Sequence, residues 1–276
     1  MTVAGTPTAA ARRAARGDAV RAAARAGFVG RGALYLLIGV LAVRIGLTGA
    51  REQADRGGAL AEVASAPLGA VLLWALGAGL AGMALWRLSE ALFGAAGPKG
   101  DRKAKRLMAA ARFAFYGITS FLVLSFAAGD RGSGAGSTDR QSQDITSRLL
   151  GLPGGPWWTG ALAAGVIGAG VWIGGRAALR KYREHLTWAR LSKRRQRLMD
   201  VTGIAGGVSR GLVLCAVGFF GAKAAVTFDP AEAKGMDDAI RSFAHTPAGP
   251  WLLVAVAAGL VLFGVFSFGQ AAWRKV

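Results

Sequence analysis

The chain has 276 residues, 53% of them hydrophobic, a mean hydropathy of +0.38 and a formal net charge of +19. Its single cysteine, Cys215, excludes an intrachain disulfide and a thiolate metal cluster. A soluble protein this basic would point to nucleic acid, but the charge is unevenly placed, and 66–86, 149–175 and 246–273 hold no ionisable side chain. A helix needs about 20 apolar residues to cross a hydrocarbon core about 30 Å thick. Each of these stretches meets that length, so the chain reads as a membrane protein and its positive charge as a marker of cytoplasmic loops. Arginines outnumber lysines 26 to 8 amid abundant alanine and glycine, a codon bias and no sign of phosphate recognition.

The chain opens on a basic segment, 1–26, that carries Arg12, Arg13, Arg16, Arg21 and Arg25. The apolar stretch that follows, about 28–47, belongs to an internal repeat, so it is expected as a retained span and not as a cleaved signal. Arg31 and Arg44 enclose twelve uncharged residues in it, as Arg210 and Lys223 do in 201–226. Such a segment makes about 20 Å of helix, which leaves both charges near the edges of the core, their stems snorkelling to opposite interfaces. With 113–129, these segments complete six spanning helices in three hairpins. The hairpins are repeat 1 at 27–94, repeat 2 at 112–180 and repeat 3 at 201–276, joined by a basic linker at 95–111 and a basic loop at 181–200.

The hairpins overlay without gaps in their second helices. Pro67, Pro153 and Pro247 coincide, as do Gly69, Gly155 and Gly249, then Gly79, Gly165 and Gly259, then Ala84, Gly170 and Gly264. In the first helices Gly32, Gly117 and Gly211 align, and Arg44 and Lys223 align with Gly129 of the middle copy. A ladder of such matches is an internal repeat. Its small residues are expected to let helix backbones approach closely in lipid, which assigns Gly32, Gly117, Gly211, Gly79, Gly165 and Gly259 to helix packing. The phrase Pro-x-Gly-Pro-Trp, at 153–157 and 247–251, places proline in a first helical turn and tryptophan at the membrane boundary.

Orientation follows from charge. The segment through Arg31, the linker around Lys103 and the loop around Arg194 are strongly basic, whereas the intervening loops are neutral or acidic. The positive-inside rule then places both termini in the cytoplasm of a multi-pass cell-membrane protein. Each repeat holds two spans, so all three copies face the same way. The expected fold is an all-α membrane protein: six transmembrane helices as three parallel two-helix repeats in a pseudo-threefold arrangement about the membrane normal.

The segments "ARAGFVGRGALYLLIGVLAVR" (24–44), "GLAGMALWRLSEALFG" (79–94) and "GMDDAIRSFAHTPAGPWLL" (235–253) resemble the six-span bacterial membrane proteins of the domain of unknown function 1206 family. The resemblance covers about residues 24–275. It implies the six-span fold and carries no activity with it. The middle copy departs most, with Tyr116 where the others have Arg31 and Arg210.

Chemistry is marked mainly by what the spans lack. Neither His185 nor His245 lies in a span, so bis-histidine haem ligation inside the bilayer is excluded. No carboxylate lies deep in a span, which disfavours a proton-coupled transporter; Glu90 sits near a helix end, three residues from Arg87 and able to pair with it. The glycine-rich run from Gly132 reads as a linker, and Asp229, Glu232, Asp237 and Asp238 match no EF-hand spacing. No catalytic, cofactor or metal site is expected. Arg44 and Lys223 remain as interfacial cations, either an anion-attracting vestibule or anchors that pair with Asp144 or Asp238. Lys193, Arg194, Arg195 and Arg197 either hold anionic lipid head groups or act only as an orientation signal. The expected partners are the lipid bilayer with its anionic lipids and another membrane protein, not nucleic acid. Three functional classes follow: a non-enzymatic structural or accessory component, a channel or permease for small solutes or ions, and a lipid-acting enzyme. The last is disfavoured because no nucleophile–base pair is visible.

Overall fold

The computed structural model describes residues 18–48, 54, 56–65, 67, 69–94, 103–129, 138–245 and 249–274. Most of the basic N-terminal segment, Pro247, the linker residues 95–102 and the glycine-rich run 131–137 lie outside these. Among the described residues six helices are long and apolar enough to cross a membrane. They are α1 (Asp18–Thr48), α3 (Gly69–Phe93), α4 (Lys103–Ala127), α6 (Gly155–Ala178), α7 (Lys193–Thr227) and α9 (Gly249–Trp273). Three shorter helices, α2 (Arg56–Ser65), α5 (Thr138–Leu150) and α8 (Met236–Ser242), each sit between the two spans of one repeat.

Local sequence sets the helix ends. Gly154 adopts a left-handed φ of 72° ahead of α6, and Pro156, the second proline of its motif, occupies the first turn, where a missing N–H costs nothing. Trp157, Trp158 and Trp251 stand exposed beside these helix starts, as residues of an aromatic belt do. At the far end of α4, Gly129 has a φ of +100°, and its N–H donates to the Phe126 carbonyl at 3.1 Å. Here the middle copy ends its helix, where α1 and α7 continue past Arg44 and Lys223.

α1 packs on α9 and α3, α3 on α4, α9 on α7, and α7 on α6. The spans therefore form a row, α4–α3–α1–α9–α7–α6. The row curves, because Tyr116 of α4 reaches Arg31 of α1, and Val123 of α4 joins Val213 of α7 in one apolar cluster. Three of the interfaces join the second helix of one repeat to the first helix of another, and they recur in register. A Cβ added at Gly32 would stand 3.1 Å from the Gly264 carbonyl oxygen, and one at the aligned Gly211 would stand 2.7 Å from that of Gly170. Two turns on, Gly39 and Gly218 would bring a Cβ to 2.6 Å and 2.9 Å from the backbone nitrogens of Val261 and Ile167. At α3–α4 the sizes are exchanged. Leu124 occupies the register of those two glycines and lies against Gly77, whose carbonyl also accepts from the Ser120 hydroxyl at 2.9 Å.

Within repeats the pattern holds twice and fails once. A Cβ at Gly79 would meet the Ala26 carbonyl oxygen at 3.1 Å, and one at Gly259 would meet that of Ala205 at 3.2 Å and collide with Ser209. At Gly165 it would meet nothing within 4 Å, and the same holds at Gly117. The packing role expected of Gly117 and Gly165 is therefore corrected. α4 and α6, the two helices of the middle repeat, end the row and do not pack along one another, and the glycine of the α3–α4 contact is Gly77 on α3, not Gly117 on α4. Gly259→Leu should destabilise the protein by about 1–3 kcal/mol through overpacking, while Gly165→Leu should melt with the parent. Thermal unfolding of both variants in detergent checks this, and equal losses would contradict the open flank.

Candidate functional site

The repeat-related positions 31, 116 and 210 converge at the end of the bundle that carries the basic loops. Arg31 on α1 donates Nε–H to Ser267 Oγ at 3.2 Å, an Nη1 hydrogen to the Tyr116 hydroxyl at 3.4 Å and an Nη2 hydrogen to Gln270 Oε1. Its guanidinium lies over the rings of Phe28 and Phe263, 4.9 and 5.3 Å from their centroids. Arg210 on α7 lies over Tyr35 and Phe263 at 5.5 and 5.2 Å. Aromatic faces attract a desolvated cation through the ring quadrupole. Both guanidinium groups thus turn toward aromatic partners within the bundle, and the snorkelling expected of Arg31 and Arg210 is corrected.

Arg87 on α3 pairs with Glu90 at 2.5 Å, as their spacing allows, and lies 4.0 Å over the Trp86 ring. Arg274, just past α9, lies over Phe28 and Trp86 at 5.0 and 5.3 Å. Its backbone bridges to Leu186 of the 181–190 loop, which closes this end. Arg112 on α4 is exposed and lies within electrostatic reach of Arg87, Tyr116, Glu90 and Arg210. Among the described residues, Arg87, Arg112 and Arg274 share one carboxylate, Glu90, within their reach. Arg87 is 4% exposed, and the Nε atoms of Arg87 and Arg274 are buried without an acceptor. Ser267, Gln270, Arg112 and Arg274 were not legible as site residues. Only one signal was available for any of them: an arginine at 112 in a register held by glycine in the other copies.

The expected lipid-contact residues lie nearby and apart from this cluster. Lys193, Arg194, Arg195 and Arg197 are exposed in the first turns of α7, where cations oppose the helix dipole, and Arg195 lies 5.7 Å over Trp273. Arg183 bonds Asp200, and the Tyr182 hydroxyl donates to the same carboxylate at 2.9 Å. Burial and that bond push the Tyr182 phenol up.

At the opposite end the acids hold loops together. Asp237 Oδ1 accepts from the Ala54 N–H at 2.7 Å, and Asp139 Oδ1 accepts from the N–H groups of Gly235 and Asp238 at 2.7 and 3.2 Å. One face therefore ties segments of all three repeats. Carboxylate oxygens of Asp139, Asp237 and Asp238 lie within 4.8 Å of one another, close enough to share a cation, yet those of Asp139 and Asp237 are engaged with backbone donors and with Arg241. Asp229 caps the Ala231 N–H, and Glu232 pairs with Lys223 at 2.8 Å. Arg44 stands 3.9 Å from Glu62. Among the described residues Lys223 thus meets Glu232 and Arg44 meets Glu62, and not the expected Asp144 or Asp238.

Six apolar helices in three repeated hairpins, with arginines folded into one end, define a multi-pass membrane protein. The chain belongs to the family described as Domain of Unknown Function (DUF1206), whose pattern matches it three times, at 26–94, 107–180 and 205–274. It is also similar to Uncharacterized protein YxxB of Bacillus subtilis (strain 168), with 28% identity over 257 residues that cover 91% of this chain and 90% of that protein. No solved structure matches the chain.

Burial, and then the neighbouring Asp238, push the Asp139 carboxyl above the ordinary carboxylate range. The native state holds this proton more tightly than the unfolded chain does, so the group favours folding increasingly as pH falls from neutral toward about 4. Other acids act in the opposite sense, so the readout is a difference. Relative to Asp139→Asn, the parent should gain melting temperature as pH falls from about 7 to about 4, and parallel profiles would exclude this role.

Proposed function

We propose that this protein is a non-enzymatic, structural or accessory component of the cell membrane, with both termini and the basic loops in the cytoplasm. One observation carries the reading: the bundle away from the arginine cluster is filled. Ile38, Leu41, Val123, Val213, Val256 and Leu260, from four of the six spans, belong to one buried apolar cluster that occupies the ground a solute path would need. The remaining reactive candidate, the Cys215 thiol, lies against the Ile167 carbonyl at 3.7 Å within the α6–α7 interface, away from any histidine. The recurrent glycine contacts support a pseudo-threefold arrangement of the three repeats about the membrane normal. Sidedness rests on the charge pattern, supported by the Asp237–Ala54 and Asp139–Gly235 bonds that tie the acidic loops to one face.

Alkaline phosphatase fused near Asp139 should be active and fused near Arg194 inactive; the reverse would invert the topology. The rival reading is an anion channel or permease, to which the arginine cluster gives its one specific support. Liposomes containing the purified protein should release chloride and potassium no faster than empty ones, and Arg44→Gln with Lys223→Gln should change nothing. Anion flux that this double variant abolishes would move the channel reading to first place.

A further inference from the structure

The middle repeat is open for a reason written at one position. In the register that aligns Arg31, Tyr116 and Arg210, position 112 corresponds to Gly27 and Gly206. Gly27 lies directly against Met83 of α3, and a Cβ at Gly206 would stand 2.5 Å from the Phe263 Cα of α9. An arginine cannot occupy such a contact. At Arg112 the helix pair that closes in repeats 1 and 3 stays apart, and Gly165, the counterpart of Gly79 and Gly259, faces open space.

α4 and α6 are two spanning helices that end the row without packing along one another, so the space left between them lies between spans. Arg112 stands exposed on α4 beside it, with Arg87 and Arg210 in electrostatic reach; Arg274 in turn is in reach of Arg112, Arg87 and Arg31. Arg112 and Arg210 have no hydrogen-bonded or ion-paired partner among the described residues, and the buried Nε atoms of Arg87 and Arg274 have no acceptor. Buried donors and like charges without counter-charge are costly. Several oxygens on one anionic group would satisfy guanidinium forks from more than one direction.

We propose that this arginine cluster is a binding site for the phosphate of an anionic phospholipid, which enters from the bilayer between α4 and α6. The depth fits: Arg112 stands at the boundary where the basic stretch from Lys103 gives way to the apolar run beginning at Phe113, the level of head groups. α4 and α6 also carry exposed apolar side chains, among them Ile118, Phe121, Val171 and Trp172, suited to acyl chains. Basic pockets between spanning helices recognise lipid head groups in this way. A soluble phosphate would satisfy the same guanidinium groups without needing the lateral opening, so the source is what the experiment must separate. The proposal holds whether or not the protein conducts.

The test is thermal unfolding of the full chain in neutral detergent with added phosphatidylglycerol, phosphatidylcholine or inorganic phosphate. Phosphatidylglycerol should raise the melting temperature in a saturable way, and the other two should not. Arg112→Gln and Arg112→Gly should each weaken the phosphatidylglycerol half-effect about fivefold, the worth of one basic residue at an anionic surface, and Arg112→Lys should retain most of it. Arg194→Gln with Arg195→Gln, on the exposed face of α7, should leave the half-effect unchanged. Equal stabilisation by inorganic phosphate would overturn the lipid assignment. So would a phosphatidylglycerol effect that is absent, indifferent to Arg112 or removed by the α7 pair.

Discussion

In a bilayer, apolar helices gain nothing from leaving lipid for one another, so their association rests on how closely backbones can approach. Here that approach is supplied at fixed register. Gly32 against Gly264 and Gly211 against Gly170 bring carbonyls and Cα atoms of different repeats into direct contact, and Gly39 and Gly218 repeat it two turns away. At α3–α4 the same contact is kept with its sizes reversed, Leu124 meeting Gly77. The order of the row follows from where these surfaces lie. So does its incompleteness, because the middle repeat lacks the matching glycine at 112.

Once these interfaces form, they dictate where charge goes. Close packing of α1 on α9 leaves Arg31 facing Ser267 and Gln270, and its guanidinium is held by hydrogen bonds and ring faces in place of water. Three arginines at repeat-related positions would repel at short range in a medium of low dielectric. Tyr116 relieves this by placing a hydroxyl that accepts from Arg31 at the third position. The middle copy thus differs from its neighbours twice on one helix. It loses a cation where the copies converge and gains one, Arg112, where they would otherwise close.

The two ends of the molecule solve opposite problems. At the acidic end carboxylates meet backbone N–H groups, so Asp139 and Asp237 bind loop to loop. At the basic end Glu90 is the carboxylate facing the arginine cluster, and aromatic rings take up part of the work. At the first end carboxylates meet backbone donors, whereas the second leaves buried guanidinium N–H groups over. That contrast is why the basic end holds the candidate site.

The amino-acid sequence by itself determined six apolar spans, their grouping into three hairpins and the family, because span length and repeat register are properties of a linear string. The same string made Gly79 and Gly259 legible as contact residues, and it assigned Gly165 with them by alignment alone. Only the tertiary structure decided that Gly165 has no neighbour, since a contact requires a second helix and α4 is held away from α6. It also decided the inward turn of Arg31 and Arg210 and the convergence of Arg274 on residues more than 180 positions earlier. The physical reason is the same in each case. Hydropathy and spacing report how one helix meets the bilayer, whereas the direction of a side chain around that helix matters only once another helix occupies the space beside it.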